Sequence, residues 1–539
     1  MNDCRNTSRI FCLGLDGGTW AVLRPLMETG HMPQLTALAQ SGCSGVLHST
    51  IPPITPAAWS TFMTGCNPGK HGIFDFQGYD RTARKAFYVN ATSLRAPTLW
   101  EILSRQGKRV AVVDLPVTYP PPAINGVVIS GLMTPSRETI FTHPAGLLQE
   151  VEQHLGYEWP LLKDEDETGR AHKNFEAFLQ TMRRFLDSRT QAMRYVLQKE
   201  KLDFAFLQLQ CVDFLQHPFW KYLEPEHPAF DKNRYAETIR QFFAPLDEAL
   251  GKLFAAARAG LGEEVLIAIF SDHGFQRHGK RAELNHWLHA HGFLEPPPRR
   301  NASWARWAEL IRKLDMLKLR SKLLGKSQRQ ALSNTLQTQR IDYERSRFYS
   351  ISSFWGYVYS GERASTQDFA ALEQQLLSWR DPDNGQPVVR RVYRQQECYS
   401  GAALERLPEI IVEPMPGYTF ASKTYFNKAA LLTPVESDDF HTGTHASEGI
   451  YVLAGPAIAA SELWHGTEAH LQDMMPSLLH AMGLPVPAHC DGNVHTEWFE
   501  SGMREIFSDG MDFELQQEIQ LSEREQNEIE RRLQMLGYV

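Results

Sequence analysis

The chain has 539 residues, of which 42% are hydrophobic and 22% are charged, and its 55 basic and 63 acidic side chains give a net charge of −8. A chain of this composition can bury a core, which excludes intrinsic disorder, collagen-like sequence and a disulfide-stapled mini-protein. The negative charge argues against general nucleic-acid binding, and seven cysteines without a CxxC pair argue against a disulfide framework or a cysteine zinc site.

The beginning of the chain shows no secretory signal. A polar leader runs directly into the apolar residues Ile10–Leu15, without the basic and apolar regions that such a signal has. No apolar run in the chain reaches the roughly 18–20 residues that a membrane span requires. We therefore expect a cytoplasmic protein without a transmembrane segment.

Short apolar runs alternate with longer amphipathic stretches along the chain. The runs cover 10–15, 110–113, 204–209, 265–270, 410–412 and 450–453. Runs that are apolar on both faces are typical of parallel strands covered by helices. The stretches 175–198 and 235–257 have helical spacing and predict two of those helices. The alternation predicts a doubly wound α/β sheet.

Polar residues follow three of these runs at the point where each run ends. Asp16 follows the first run, Asp213 and His217 follow the run 204–209, and Asp272 and His273 follow the run 265–270. In open parallel sheets, ligand sites lie beyond the carboxyl ends of the strands. We therefore expect these side chains to form one site.

One more histidine belongs to this set. His445 lies just before the run 450–453 and completes a group of three carboxylates and three imidazoles; His441 is an alternative that the spacing favours less. Such donors can hold two divalent ions, and their mixture of nitrogen and oxygen favours zinc, with manganese or iron as alternatives. Paired metal ions can bind the attacking and leaving oxygens of a phosphoryl displacement.

A nucleophile is predicted at Thr55. The proline-rich stretch 52–56 leads into a helical pattern, which predicts Thr55 as the N-cap and Pro56 as the first helical residue. A hydroxyl there meets the positive end of the helix dipole, and a nearby metal ion would lower its pKa. Taken alone, the same residue would be an ordinary cap.

Between 281 and 405 the pattern changes. The segment 299–329 has ten basic residues against two acidic ones, with apolar residues at helical spacing. This indicates a basic amphipathic insertion that forms a solvated surface helix, a lid or a peripheral membrane contact.

Together these motifs resemble the alkaline phosphatase superfamily and, within it, the type I phosphodiesterase/nucleotide pyrophosphatase family. The residues that carry the resemblance are Leu15-Asp16-Gly17-Gly18, Thr55, Thr64-Gly65, the block 68–73, Asp213-x-x-x-His217, Asp272-His273-Gly274, Gly443-Thr444-His445 and the ending Leu536-Gly537-Tyr538. The resemblance implies a three-layer α/β/α sandwich with a mostly parallel central sheet and an inserted cap or lid. On this basis we expect a core at 1–280 and 406–500, an insertion at 281–405 and a helical tail at 501–539.

The resemblance also implies roles for the site residues. It assigns one metal ion to Asp16, Asp272, His273 and the Thr55 oxygen, and the other to Asp213, His217 and His445. It implies that Thr55 attacks phosphorus and forms a phosphothreonine, which water then hydrolyses. The implied substrates are small molecules with a phosphodiester, phosphoanhydride or phosphonate ester bond.

Two positions depart from the family pattern. No asparagine follows Ile73, and Ala58 stands where many members have an asparagine. Candidate replacements that could bind the substrate phosphate are Lys70, Arg277, His278 and Lys280. Alternatives within the superfamily are a phosphomonoesterase, a mutase or a phosphotransferase. A catalytically silent binding or scaffold protein on the same fold is the alternative of another class.

Overall fold

The computed structural model describes residues 9–157, 159, 161, 174–296, 341–351, 354–422, 430–461, 463–464, 466–500, 507–508 and 517–535. The basic segment 299–329 and the ending 536–538 lie outside these residues, so the predictions made for them stay predictions. Within the described part of the chain, no helix combines the length and the apolar character that crossing a membrane requires.

The strands, in chain order, are β1 (Ile10–Leu15), β2 (Gly42–His48), β3 (Gln77–Asp80), β4 (Lys85–Tyr88), β5 (Val110–Leu115), β6 (Gly126–Ser130), β7 (Thr142–His143), β8 (Phe204–Leu209), β9 (Leu266–Phe270), β10 (Gly274–Glu283), β11 (Phe348–Ser350), β12 (Gly356–Ser360), β13 (Val389–Arg394), β14 (Ile410–Pro414), β15 (Gly417–Ala421), β16 (Leu432–Pro434), β17 (Gly443–Ala446), β18 (Glu448–Ala454), β19 (Ala469–His470), β20 (Val486–Pro487) and β21 (Phe507–Ser508).

The helices are α1 (Trp20–Glu28), α2 (Pro33–Gln40), α3 (Thr55–Thr64), α4 (Pro68–His71), α5 (Leu99–Arg105), α6 (Leu147–Leu155), α7 (Phe175–Lys199), α8 (Cys211–Leu223), α9 (Lys232–Thr238), α10 (Ala244–Leu261), α11 (Leu284–Ala290), α12 (Thr366–Ser378), α13 (Gln395–Cys398), α14 (Met474–Ala481) and α15 (Glu523–Met535). A π-helical turn, Ile239–Phe243, joins α9 to α10.

The chain divides into two compact units. The first comprises Met1–His278, Cys398–Leu407 and Glu436–Val539, and the second comprises Gly279–Glu397 and Pro408–Val435. The predicted insertion at 281–405 covers most of the first segment of the second unit. The other segment of that unit lies within the stretch predicted as returning core.

A nine-stranded sheet forms the centre of the first unit, in the order β19-β2-β18-β9-β1-β8-β5-β6-β7. The pairs from β9 through β1, β8 and β5 to β6 are parallel. Every residue of β1, β5, β8 and β9 is buried. Because consecutive side chains of a strand point to opposite faces, both faces of the sheet are covered, which confirms the predicted layered α/β fold.

Two of the apolar runs differ from a parallel strand. The run 450–453 lies in β18, which is inserted antiparallel between β9 and β2. The run 410–412 lies in β14, which belongs to the second unit and pairs antiparallel with β12 and β13. Burial on both faces produces the same apolar pattern in either direction, so the run alone does not determine strand direction.

The second unit has an antiparallel sheet of its own, with the order β11-β12-β14-β13. All of β14 is buried, and α12 contacts β13. In the same unit, the later part of β10 pairs antiparallel with β16.

Candidate metal centre and nucleophile

The ends of two neighbouring strands bring together the first group of ligands. Asp16 directly follows β1, and Asp272 and His273 follow one residue after the end of β9, which pairs parallel with β1. The three side chains are buried, and one ligand atom from each lies within 4.8 Å of the others. His273 Nε2 lies 3.3 Å from Asp272 Oδ2 and 3.7 Å from Asp16 Oδ1. Parallel pairing explains this proximity, because both strands end at the same edge of the sheet.

Hydrogen bonds hold one oxygen of each carboxylate in this group. Trp59 Nε1 donates to Asp16 Oδ2 at 3.0 Å, and the side-chain amide of Gln208 donates to the same oxygen. The backbone N–H of Gly17 donates to Asp272 Oδ1 at 3.1 Å. The other two oxygens, Asp16 Oδ1 and Asp272 Oδ2, are buried and have no hydrogen-bond partner among the described residues.

The third member of the group also presents a lone pair. His273 Nδ1 lies 3.1 Å from the carbonyl oxygen of Gly274, which can only accept, so the proton resides on Nδ1 and Nε2 is unprotonated. Two carboxyl oxygens and an imidazole nitrogen therefore face one another. A cation satisfies such an arrangement, and it is otherwise repulsive.

The second group of ligands lies on α8 and β17. Asp213 and His217 are one helical turn apart, and His445 on β17 faces them. Asp213 Oδ1 lies 3.4 Å from His217 Nε2 and 3.2 Å from His445 Nε2. His445 Nδ1 lies 3.0 Å from the carbonyl oxygen of Pro53, which leaves Nε2 of His445 as the ligand atom.

Contact between two histidines places the two groups side by side. The rings of His273 and His445 stack with their centroids 3.6 Å apart. Thr55 Oγ1 lies 3.3 Å from His273 Nε2. The structure thus brings all seven sequence-predicted metal and nucleophile residues into one buried site.

The helix that carries Thr55 begins one residue earlier than predicted. Ile54 has an extended backbone, with φ −127° and ψ 134°, and α3 starts at Thr55 itself. The Thr55 hydroxyl contacts His273 instead of serving as the predicted N-cap. It remains at the positive end of the helix dipole, which stabilises negative charge on its oxygen.

His445, and not His441, contributes a ligand atom to the second group. His441 Nδ1 lies 3.0 Å from His217 Nδ1, on the side of that ring away from Asp213. His441 therefore contacts a ligand residue and does not replace one.

Burial shifts the pKa of the acids and the imidazoles in opposite directions. It raises the pKa of Asp16 and of Asp272, and repulsion by neighbouring carboxylates raises each further. It also lowers the pKa of His273 and of His445, which favours the neutral, metal-binding imidazole. For Asp213, burial acts to raise the pKa, but His217 and His445 outweigh it and the pKa is lowered.

Among the predicted substrate-binding residues, two have ion-pair partners in the first unit. Lys70, on α4, lies 2.5 Å from Asp491 Oδ1 and donates to the His489 carbonyl at 3.0 Å. Arg277, on β10, lies 2.5 Å from a carboxylate oxygen of Glu224. A role in substrate binding stays a prediction for both residues.

The other two predicted substrate-binding residues also have partners. His278 Nδ1 lies 3.0 Å from the carbonyl oxygen of His441. Lys280 belongs to the second unit, where its ammonium group lies 2.7 Å from Asp381 and 2.6 Å from Asp383. Their contacts stabilise the local structure, and a role in substrate binding stays a prediction here too.

Sequence reasoning missed the two residues that orient Asp16. Trp59 is fully buried and packs against Phe62 and Phe206, as expected of a core residue, yet its indole N–H also binds the carboxylate. Gln208 is a buried polar residue inside the apolar strand β8. A polar side chain in such a strand requires a partner, and this signal was present in the sequence.

The profile of the type I phosphodiesterase/nucleotide pyrophosphatase family matches residues 10–447, a range that contains all seven site residues. The chain belongs to this family. It is therefore an enzyme of the phosphodiesterase/nucleotide pyrophosphatase type. No curated protein sequence shows a significant match to it.

Solved structures share the fold at low sequence identity. Human ectonucleotide pyrophosphatase/phosphodiesterase 5 is 15% identical, with 92% of this chain and 100% of that chain covered and a TM-score of 0.51. Phosphonoacetate hydrolase from Sinorhizobium meliloti, in complex with phosphonoformate, is 14% identical, with 89% and 96% covered and a TM-score of 0.55. An inactive threonine-to-alanine variant of the murine ectonucleotide enzyme, in complex with AMP, is 15% identical, with 90% and 97% covered and a TM-score of 0.50. These similarities establish the alkaline phosphatase-like fold.

Proposed function

We propose that this protein hydrolyses phosphodiester bonds of small phosphorylated substrates, with Thr55 as the nucleophile and two divalent metal ions as cofactors. One observation carries the proposal. Asp16 Oδ1 and Asp272 Oδ2 are buried, find no hydrogen-bond partner in the described part of the chain, and face the unprotonated nitrogen of His273. That nitrogen lies 3.3 Å from the Thr55 hydroxyl. A cation site next to a hydroxyl at a helix N-terminus is the arrangement that phosphoryl transfer to a side-chain oxygen requires.

The donor atoms of the two groups fit divalent ions. Asp16, Asp272 and His273 would hold one ion. The second ion would be held by Asp213, His217 and His445. Each set combines carboxylate oxygen with imidazole nitrogen, which favours zinc and also allows manganese or iron. Ions bound there supply positive charge that lowers the pKa of the nucleophilic hydroxyl and offsets charge on the phosphate oxygens.

The proposed reaction has two steps, and both take place at Thr55. Thr55 Oγ1 would release its proton to solvent and attack phosphorus, the bond to the leaving alcohol would break, and the alcohol oxygen would take up a proton from solvent. The phosphoryl group is then esterified to Thr55. Water would then attack the same phosphorus and give up a proton, the bond to Thr55 Oγ1 would break, and that oxygen would take up a proton, which regenerates the hydroxyl and releases a phosphomonoester. The positive end of α3 stabilises the oxygen of Thr55 whenever it carries negative charge.

Two structural relatives support a small phosphorylated substrate. The inactive threonine-to-alanine variant of the murine ectonucleotide enzyme is in complex with AMP, and the Sinorhizobium meliloti hydrolase is in complex with phosphonoformate. Both ligands carry a phosphorus oxyanion, which is the group that the proposed metal ions would bind.

The test compares bis(p-nitrophenyl) phosphate with p-nitrophenyl phosphate as substrates of the full chain. We expect the diester to be cleaved faster, with activity lost on chelation and restored by Zn²⁺ or Mn²⁺. Faster cleavage of the monoester would instead favour the phosphomonoesterase alternative. If the metal-loaded protein turned over neither substrate, its natural phosphodiesters would have to be tested before the scaffold alternative was accepted.

Two variants distinguish the contribution of the Thr55 hydroxyl from that of the shape of its side chain. Thr55→Val keeps the branched side chain and removes the oxygen, so we expect hydrolysis to be abolished even when the metal concentration is saturating. Thr55→Ser keeps the oxygen, so activity is expected to persist, with a phosphoserine detectable by mass spectrometry after rapid quenching. Full metal-dependent activity of Thr55→Val would exclude Thr55 as the nucleophile.

A further inference from the structure

A buried amide lies between the two proposed metal ligands of α8. Gln216 is 1% exposed and stands three residues after Asp213 and one residue before His217. A polar side chain with this degree of burial requires a hydrogen-bond partner, because an unpaired amide inside a protein is costly. The partner of Gln216 therefore indicates what this side chain does beside the second group of ligands.

The partner belongs to the turn that follows β1, next to the first group of ligands. Gln216 Nε2 donates to the carbonyl oxygen of Gly17 at 2.8 Å, and the backbone N–H of Gly17 donates to Asp272 Oδ1 at 3.1 Å. Gly17 also directly follows Asp16 in the chain. Gly17 is thus held from both sides, through its carbonyl group by α8 and through its N–H by a ligand of the first group.

Gly17 packs closely against α8. It has φ +67°, and a Cβ atom added there would lie 3.2 Å from Gln216 Nε2 and 3.3 Å from Asp213 Oδ1. A left-handed φ and contacts this short favour glycine, because a side chain would have to displace its neighbours. A shift of α8 would therefore be transmitted to Gly17 by direct contact as well as by the hydrogen bond.

These contacts connect the two groups of ligands in short steps. The helix α8 carries Asp213 and His217. Gln216 links α8 to Gly17, which in turn binds Asp272. With an ion bound to the second group, Asp213 and His217 would be held at one point, and this would fix the position of α8. The two hydrogen bonds of Gly17 would then keep Asp272 in place for the first ion.

We propose that Gln216 is a positioning residue that couples the two metal sites. When the second group is occupied, Gln216 holds Gly17 so that Asp272 keeps the orientation that the first ion requires. Binding of one ion is thereby favoured by the presence of the other, and linkage makes this effect equal in both directions. The inference rests on the proposed two-ion function, and it gives a role to a residue outside the two candidate ligand groups.

The test measures zinc binding to the full chain by calorimetry, with a competing chelator dye where the affinity is high. The overall binding constant for two ions is measured in the wild type. The constant for a single ion is measured in His217→Asn, which disables the second group, and in Asp272→Asn, which disables the first. The overall constant divided by the product of the two single-ion constants is the coupling factor.

Gln216→Met is then introduced into each of these three proteins. It removes the amide at nearly constant volume, and we expect it to lower the coupling factor about tenfold. Repulsion between the ions and the stacking of His273 on His445 remain in both sets of proteins, so the comparison isolates the contribution of Gln216. A merely structural defect would weaken the binding of each single ion and leave the coupling factor unchanged.

Gln210→Met is the matched control. Gln210 caps the same helix and is 6% exposed, and its amide nitrogen has no hydrogen-bond partner among the described residues. The same change there should leave the coupling factor unchanged. The proposal would be overturned by equal coupling factors in the wild type and in Gln216→Met, or by equal effects of Gln216→Met and Gln210→Met.

Circular dichroism checks that each variant is folded. If Gln216→Met does not fold, Gln216→Asn takes its place, because its side chain is one methylene shorter and the amide is withdrawn from Gly17. A lower coupling factor in that variant supports the proposal, and an unchanged one contradicts it. Absence of zinc binding to the wild type would contradict the proposed function as well. Two bound ions without coupling through Gln216 would contradict this inference alone, and none of these measurements depends on hydrolysis.

Discussion

Replacing Trp59 with phenylalanine tests how strongly the buried core controls the proposed metal centre. The indole N–H of Trp59 donates to Asp16 Oδ2 at 3.0 Å, and Gln208 is the other side-chain donor to that oxygen. A hydrogen bond to a charged group contributes about 1.5–3 kcal/mol. Loss of a residue that orients a metal ligand typically weakens metal binding by about 10–100-fold. We therefore expect Trp59→Phe to raise the metal dissociation constant by that factor.

The same substitution also leaves a void, and a matched variant isolates that effect. Trp100 on α5 is a tryptophan with 2% exposure, and Trp100→Phe removes the same atoms away from the ligands. Both variants should lose about 1–3 kcal/mol of unfolding free energy, because a buried aromatic group is truncated. Only Trp59→Phe should weaken metal binding.

Zinc affinity is measured with a competing chelator dye, and unfolding free energy by denaturant titration. The hydrolysis rate at saturating metal separates a loss of affinity from a loss of catalysis. If Trp59→Phe bound zinc as tightly as the wild type, or if Trp100→Phe weakened zinc binding equally, then the hydrogen bond would not position Asp16. The interpretation of Trp59 would then be wrong.

Three further predictions concern stability. Gly17→Ala should lower the unfolding free energy by about 1–2 kcal/mol and weaken metal binding, because Gly17 has φ +67° and a Cβ there would lie 3.1 Å from a phenylalanine ring. Denaturant titration measures the first effect, and competition with a chelator dye measures the second. Lys280→Met should lower the unfolding free energy by about 3 kcal/mol, measured by denaturant titration, because it removes the ammonium beside the buried Asp381. Unchanged kcat/KM in the folded variant would argue against a role of Lys280 in substrate binding. A large rise in KM would support that role. For His495, burial opposes protonation, but hydrogen bonds to Asp473 and a neighbouring glutamate outweigh it and raise the pKa above 6.5. The stability that protonated His495 contributes is fully present below pH 6.5, the ordinary pKa of the group, and it is lost as the pH rises through the raised pKa. His495→Gln should therefore lower the melting temperature more at about pH 5.5 than at about pH 9. An equal decrease at both pH values would contradict this account.

The residues of the proposed metal centre were predictable because strand ends are visible in the sequence. Asp16, Asp272 and His273 each follow an apolar run, and parallel strands of one sheet end at the same edge. Asp213 and His217 are one helical turn apart, so their proximity also follows from local spacing. For these five residues the pattern along the chain already implies the arrangement in space.

Other features of the site depended on contacts between distant parts of the chain. The pairing of β17 with β10 sets His445 opposite Phe275 and places it, and not His441, in the second candidate group. The start of α3 was predicted one residue late, because the sequence does not show that the Thr55 hydroxyl contacts His273. The sequence also does not reveal that Lys70, a predicted substrate-binding residue, forms an ion pair with Asp491.

The sequence by itself determined the α/β class and the family, and it predicted the seven residues that the structure brings together, because these depend on apolar periodicity and on short motifs in a constant order. Only the tertiary structure decided the antiparallel direction of β18 and the hydrogen bonds from Trp59 and Gln208 to Asp16. The reason is physical. Strand direction and lone-pair orientation arise from packing between segments that are far apart in the chain. A local sequence pattern does not show which of these segments are in contact.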